Sequence, residues 1–243
     1  MDDVLVLEDV VKFRGGIPAL DKVSLTVRAA QIHALVGLNG AGKTSLLRSV
    51  LGMLTPEEGT VRVFGQSPGS IAAASWRNVG QMLEVPFAYP ELTVRENVYA
   101  SCRLHGLDRA TAEETTMRAL RHWGVAALSG RRVHALSAGN RQRTGLAAAL
   151  AHDPGLIILD EPSNALDPRG TVTLRETLHA ARARGVAVLV SSHHLDEVSR
   201  VADVITVLHA GRVVGRLDPG TRELERRFFE LVLAADQENG NPR

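Results

Sequence analysis

At 243 residues, 44% hydrophobic and 23% charged, the chain has enough apolar sequence for one large domain with a buried core, which argues against a disordered chain. Its 28 basic and 27 acidic residues leave a formal net charge of +1, so nothing in the balance calls for a polyanionic partner, and nucleic acid is not expected. Only three of the basic residues are lysines, Lys12, Lys22 and Lys43, and the single Cys102 cannot form an internal disulfide, which fits a reducing cytoplasm.

The N-terminus MDDVLVLEDV opens on two acids and carries no basic region before a long apolar run, so no signal peptide is expected. Apolar runs such as Leu156 to Leu159 and Val186 to Val190 fall far below the roughly 20 residues of a membrane helix. Any membrane role is therefore expected to be peripheral, through a partner.

In chain order, Val4 to Leu7, Val23 to Val27 and Ile32 to Val36 read as strands, and Lys43 to Leu54 as a helix. After the turn Thr55 to Gly59 come strands at Thr60 to Phe64 and Val79 to Met82. From Thr93 to Trp123 the spacing turns helical and predicts an inserted helical region. Alternation resumes with a strand at Leu156 to Asp160, a helix near Gly170 to Arg184 and a strand at Val186 to Val190. A helix to Ala202, strands at Val204 to Leu208 and Arg212 to Arg216, and a helix over Thr221 to Ala234 complete the pattern. This is the rhythm of an α/β domain whose buried strands are largely parallel.

Gly37 to Thr44, GLNGAGKT, matches G-x-x-x-x-G-K-[ST] directly between an apolar strand and a helix. Glycines let the backbone curl so that successive N–H groups face phosphate oxygens, and the helix N-terminus adds positive potential. Gly37, Asn39, Gly40, Ala41, Gly42 and Ser45 are the expected cradle. Lys43 is expected at the β- and γ-phosphates and the Thr44 hydroxyl on Mg²⁺. A dinucleotide loop is the nearest rival, but its G-x-G-x-x-G spacing is missing.

Asp160-Glu161-Pro162 ends an apolar strand, putting two acids at the edge where open α/β sheets bind ligands. Neighbouring strand residues point to opposite sides. Asp160 therefore suits Mg²⁺, and Glu161 suits the general base or the residue orienting the attacking water.

Leu136-Ser137-Ala138-Gly139-Asn140, followed by Arg141-Gln142-Arg143, resembles the LSGGQ-x-QR signature of ATP-binding cassette (ABC) transporter ATPases, and the resemblance extends over nearly the whole chain. It implies a phosphate-loop NTPase core with a mostly parallel sheet, an N-terminal antiparallel β subdomain and an inserted helical subdomain. The boundaries it suggests are a single domain over 1–243, with the core at 1–84 and 137–220, the helical subdomain at 85–136 and a C-terminal helix and tail at 221–243.

It also implies ATP and Mg²⁺ as ligands and a second ABC subunit, in a homodimer or heterodimer. Ser137, Gly139 and Asn140 would then contact the γ-phosphate held by the other subunit. Asp167, in Ala165-Leu166-Asp167, resembles the D-loop that signals across the dimer. His193, in Ser191-Ser192-His193, resembles the H-switch that holds the γ-phosphate and the attacking water. A metal site of His193, His194 and Glu197 is the weaker reading, since adjacent histidines diverge and no complete zinc motif is present.

For the Q-loop contact to metal and γ-phosphate, the register of Tyr89 to Val94 favours Glu84, with Gln81 the runner-up. Ala138 and Asn140 depart from the family's glycine and glutamine, a change expected to slow turnover. Where the family stacks an aromatic ring on adenine this chain has Arg14, so either Phe13 turns inward or the guanidinium of Arg14 stacks on the base, the alternative being that neither touches the nucleotide and phosphate contacts alone carry binding.

The motif set resembles exporter ATPases of the drug and peptide-antibiotic group, acting with separate transmembrane permease subunits on the cytoplasmic face of the membrane. The alternatives are a soluble cassette acting on ribosomes or DNA, and an import ATPase. The soluble relatives usually carry two cassettes, coiled-coil insertions or zinc-binding cysteines, none of which this chain displays.

Overall fold

The computed structural model describes residues 2–83 and 89–238. Contacts divide the chain into two compact units, one built from the chain up to Ile71 together with the chain from Ala187 onward, the other from Ala72–Val186.

In the first unit, β1 (Asp3–Arg14), β2 (Ile17–Arg28) and β4 (Glu58–Val63) form an antiparallel sheet in the order β2-β1-β4. β1 and β2 run well beyond the four or five residues expected of each, because Gly15 and Gly16, both at positive φ, close them into a hairpin. That two-residue turn is the kind whose twist matches paired strands. A bulge at Asp9 (φ 46°) resets the alternation, so that Leu5 and Leu7 are buried before it and Val10 and Val11 after it. The Asp9 N–H donates to Ser24 Oγ at 2.9 Å.

β3 (Ile32–Val36) pairs in parallel with β7 (Ala187–Ser192) on one side and β8 (Val204–His209) on the other, and β9 (Arg212–Leu217) adds antiparallel to β8. Every residue of β3 and β7 is buried, which is why both are largely apolar, broken only by His33 in β3 and by Ser191 and Ser192 at the end of β7. α1 (Lys43–Val50) packs against β2 and β4, and α8 (Leu224–Glu238) against β8 and β9. α1 ends four residues before the expected Leu54, where Gly52 takes φ 70°. The helix expected up to Ala202 is the single turn α7 (Leu195–Val198).

In the second unit, β5 (Val79–Met82), after the short helix α2 (Ala73–Trp76), pairs in parallel with β6 (Leu156–Asp160). The helical stretch is two helices, α3 (Val94–Leu104) and α4 (Arg109–His122), which pack on each other and on α5 (Ala138–Leu150). Asp108 caps α4 by accepting from the N–H groups of Ala110 and Thr111. Thr93 and Glu96 form a reciprocal capping box on α3. Val94 N–H donates to Arg131 O and Val133 N–H to Leu92 O, so the chain enters and leaves the helical part side by side. α6 (Pro168–Ala183) completes this unit. The fold is thus a phosphate-loop core with largely parallel strands, an antiparallel N-terminal sheet and inserted helices. No helix among the described residues is long and apolar enough to cross a membrane.

Candidate active site

In the first unit β3 delivers the chain into the glycine loop. Gly37 and Gly42 sit so close to other backbones that a Cβ would stand 2.3 Å from Leu208 O and 2.5 Å from Ala19 O respectively, and Gly42 has φ 107°. No other residue type fits there without displacement. Leu38, Asn39 and Gly40 are exposed at the mouth, and Ala41 is buried beneath it.

Lys43 is only 7% exposed, and its Nζ donates to Gly37 O at 2.7 Å and Leu38 O at 3.5 Å. The lysine is therefore folded over its own loop and is no solvated filler. α1 begins at Lys43 with no side-chain cap and no acid in its first turn, which leaves helix N–H groups and positive potential for an anion. Thr44 and Ser45 occupy that first turn, half-buried. Together these features fit a polyphosphate chain.

Two other predicted elements converge on this loop. Val36 and Ser192 are register partners in the parallel β3–β7 pair, so Gly37 and His193 leave adjacent strands at the same edge. His193 is exposed, its ring 3.9 Å from that of His194. The β1–β2 hairpin lies on the other flank: Phe13 pairs across it with Pro18, next to the Ala19 carbonyl that abuts Gly42. Phe13 is 46% exposed and Arg14 is exposed beside it.

In the second unit Asp160 ends β6, 1% exposed, and Glu161 follows in the left-handed region at φ 48°. Strain of this kind at a non-glycine residue costs on the order of 1–3 kcal/mol and concentrates at functional sites. Ser137 is the N-cap of α5, its Oγ accepting from Asn140 N–H at 3.4 Å. At Gly139 a Cβ would lie 2.8 Å from Ala165 O, so the glycine of the signature is needed for contact with the turn after the acidic pair. Asp167 accepts from Gly170 N–H at 2.8 Å and from the Arg143 guanidinium. These bonds, the Gly170 amide first, hold its carboxyl below the usual aspartate range. Gln81 lies half-buried in β5, and Glu84 lies outside the described residues.

The structure also assigns contacts to residues given no role in the sequence reading. Gln142 Nε2 donates to Pro162 O at 2.8 Å, Arg143 Nη1 to Trp123 O at 3.3 Å, and Arg141 Nη1 to Leu136 O at 2.6 Å. Their signal was a run of long polar side chains opening an otherwise alanine-rich helix.

The sequence model described as ABC transporter matches residues 20–164, from β2 through the acidic pair. The chain belongs to the ABC transporter family. As an ABC ATPase it binds ATP and hydrolyses it. It is 30% identical over 236 residues to the bacitracin transport ATP-binding protein BcrA of Bacillus licheniformis, an alignment covering 96% of this chain and 76% of that protein. It is 35% identical over 218 residues to the methionine import ATP-binding protein MetN of Caulobacter vibrioides, covering 87% of this chain and 66% of that one. A solved ATP-binding subunit of an ABC transporter superposes with a TM-score of 0.83 at 29% identity, covering 94% of each chain.

Proposed function

We propose that this ABC ATPase powers export of a peptide antibiotic or similar small molecule through separately encoded permease subunits, working on the cytoplasmic face of the membrane. The observation that carries the reading is the alignment with a bacitracin transport protein over 96% of the chain. Import is the second reading, favoured by the methionine import relative, whose alignment covers less of both chains.

The residue roles proposed here follow from the motifs. Lys43 and the main-chain N–H groups of Gly40 to Ser45 hold the phosphates. Thr44, Asp160 and Glu84 are the residues that would hold Mg²⁺, which when bound offsets negative charge on the phosphate oxygens. Glu161 accepts a proton from the attacking water, and His193 fixes the orientation of that water and the γ-phosphate. The left-handed Glu161 supports its assignment, since that backbone is maintained against strain. Ser137, Gly139 and Asn140 present the N-terminus of α5 to the γ-phosphate held by a second ABC subunit, with Asp167 at the shared boundary. Phe13 or Arg14 contacts adenine.

The test is purification of the tagged chain from its own host, followed by sensitivity assays on cells lacking it. Export predicts a copurifying polytopic membrane protein and cells more sensitive to a peptide antibiotic such as bacitracin. Copurification with ribosomes or DNA, or loss of uptake of a nutrient without change in antibiotic sensitivity, contradicts it.

A further inference from the structure

Main-chain pairing between β1 and β4 ends at Val11 and Glu58, with Glu57 N–H donating to Val11 O at 2.9 Å. Beyond that point the contact continues through a side chain. Glu57 Oε1 accepts from Lys12 Nζ at 2.8 Å, and Oε2 accepts from the backbone N–H of Phe13 at 3.2 Å. Lys12 Nζ also donates to Thr55 O at 2.8 Å. The carboxylate thus stands where another residue of β4 would have accepted the Phe13 amide.

Lys12 is the better shielded partner, its side chain 19% exposed against 43% for Glu57. The hydrogen bond from Lys12 holds the Glu57 carboxyl below the usual range, so it remains a charged acceptor at neutral pH. A charged acceptor strengthens both bonds. What they fix is the last stretch of β1 before the Gly15–Gly16 turn, the hairpin whose opposite strand abuts Gly42 through Ala19 O. Without the clamp, Phe13 and Arg14 would sit at the end of a strand held on one side only.

We propose that Glu57 is a positioning residue for nucleotide recognition: through Lys12 and the Phe13 amide it sets the base-side hairpin against the phosphate loop, and so determines how well a nucleotide binds relative to a bare phosphate chain. This rests on the reading that Phe13 or Arg14 contacts the base. Glu57 itself touches no ligand, so its contribution is preorganisation of a loop that otherwise must be ordered on binding.

The experiment is calorimetric titration of the full chain with ATP and with inorganic triphosphate, each with Mg²⁺. Glu57→Ala is expected to weaken ATP binding about fivefold, the range of a modest coupling, and to leave triphosphate binding unchanged. Glu57→Gln, which keeps one oxygen for the Phe13 amide, is expected to fall between it and the native chain. Native ATP affinity in Glu57→Ala, or an equal loss for both ligands, overturns the clamp. Phe13→Ala and Arg14→Ala run in parallel. If either weakens ATP while Glu57→Ala does not, the clamp alone fails, and if both bind ATP as the native chain does, the base-side reading falls and the clamp with it.

Discussion

The side-chain amide of Gln142 donates to the carbonyl oxygen of Pro162 at 2.8 Å, tying the signature helix to the turn immediately after Asp160 and Glu161. Gln142 is 5% exposed, so removing its amide leaves a buried carbonyl unsatisfied, a loss of about 1–3 kcal/mol. Gln142→Leu is expected to lower thermal stability by that order. It is also expected to reduce turnover more than ATP affinity, because the affected turn carries Glu161 rather than the phosphate loop. Parallel melting curves, ATP titrations and ATPase rates check this, and native turnover contradicts it.

Gly42 combines φ 107° with a Cβ position 2.5 Å from Ala19 O. Gly42→Ala must strain the loop or push the β1–β2 hairpin away, at about 1–3 kcal/mol, or about 5- to 150-fold in affinity if the loss falls on binding. Gly40, although at φ 82°, has nothing within 4 Å of a Cβ. Gly40→Ala should therefore carry only the backbone term and weaken ATP binding less. Equal affinities for the two variants contradict this ordering.

The predicted strands at Ile32 to Val36, Val79 to Met82 and Leu156 to Asp160 have the observed bounds, because strands buried throughout, or at all but Gln81 in the second, write their largely apolar runs directly into the sequence. The glycine loop was legible because its residue types recur at a fixed short spacing, with Lys43 bonding back to Gly37 O six residues earlier, although the backbones that crowd Gly37 and Gly42, at Leu208 and Ala19, lie far off in sequence. The length of the first two strands was not. The bulge at Asp9 breaks the alternation, and the Gly15–Gly16 turn that joins them went unread. The Gln142–Pro162, Arg143–Asp167 and Lys12–Glu57 contacts span 20 to 45 residues of sequence, and no periodicity announces such pairs. Gly139 shows a subtler gap: the motif marks it for phosphate, while its nearest constraint is Ala165 O on the same chain.

His33 is buried in β3, with Nδ1 at 3.2 Å from Thr26 O and Nε2 at 2.8 Å from Thr206 Oγ1. Burial above all, with a contribution from Arg216, pushes its pKa down to about 4 from 6.5. His152, stacked on His105, is pushed down to about 3 by burial first and by that neighbouring ring second. In both cases the unfolded chain binds the proton first, so the stability is fully present above about pH 6.5 and is lost as pH falls toward the folded values. For His33 the loss approaches about 3 kcal/mol between pH 6.5 and 4. Urea unfolding across this range is expected to give a falling midpoint, and His33→Gln a shallower slope. A native slope in that variant contradicts the assignment.

The central claim is that Glu161 activates water for ATP held by the loop around Lys43, in a site completed by a second subunit. Gel filtration of Glu161→Gln with and without ATP and Mg²⁺ tests it most directly. Because the carboxamide cannot take up the proton, ATP should bind and remain, and the chain should elute as a dimer with ATP and as a monomer without it. The same monomer under both conditions, with ATP bound, would contradict the claim.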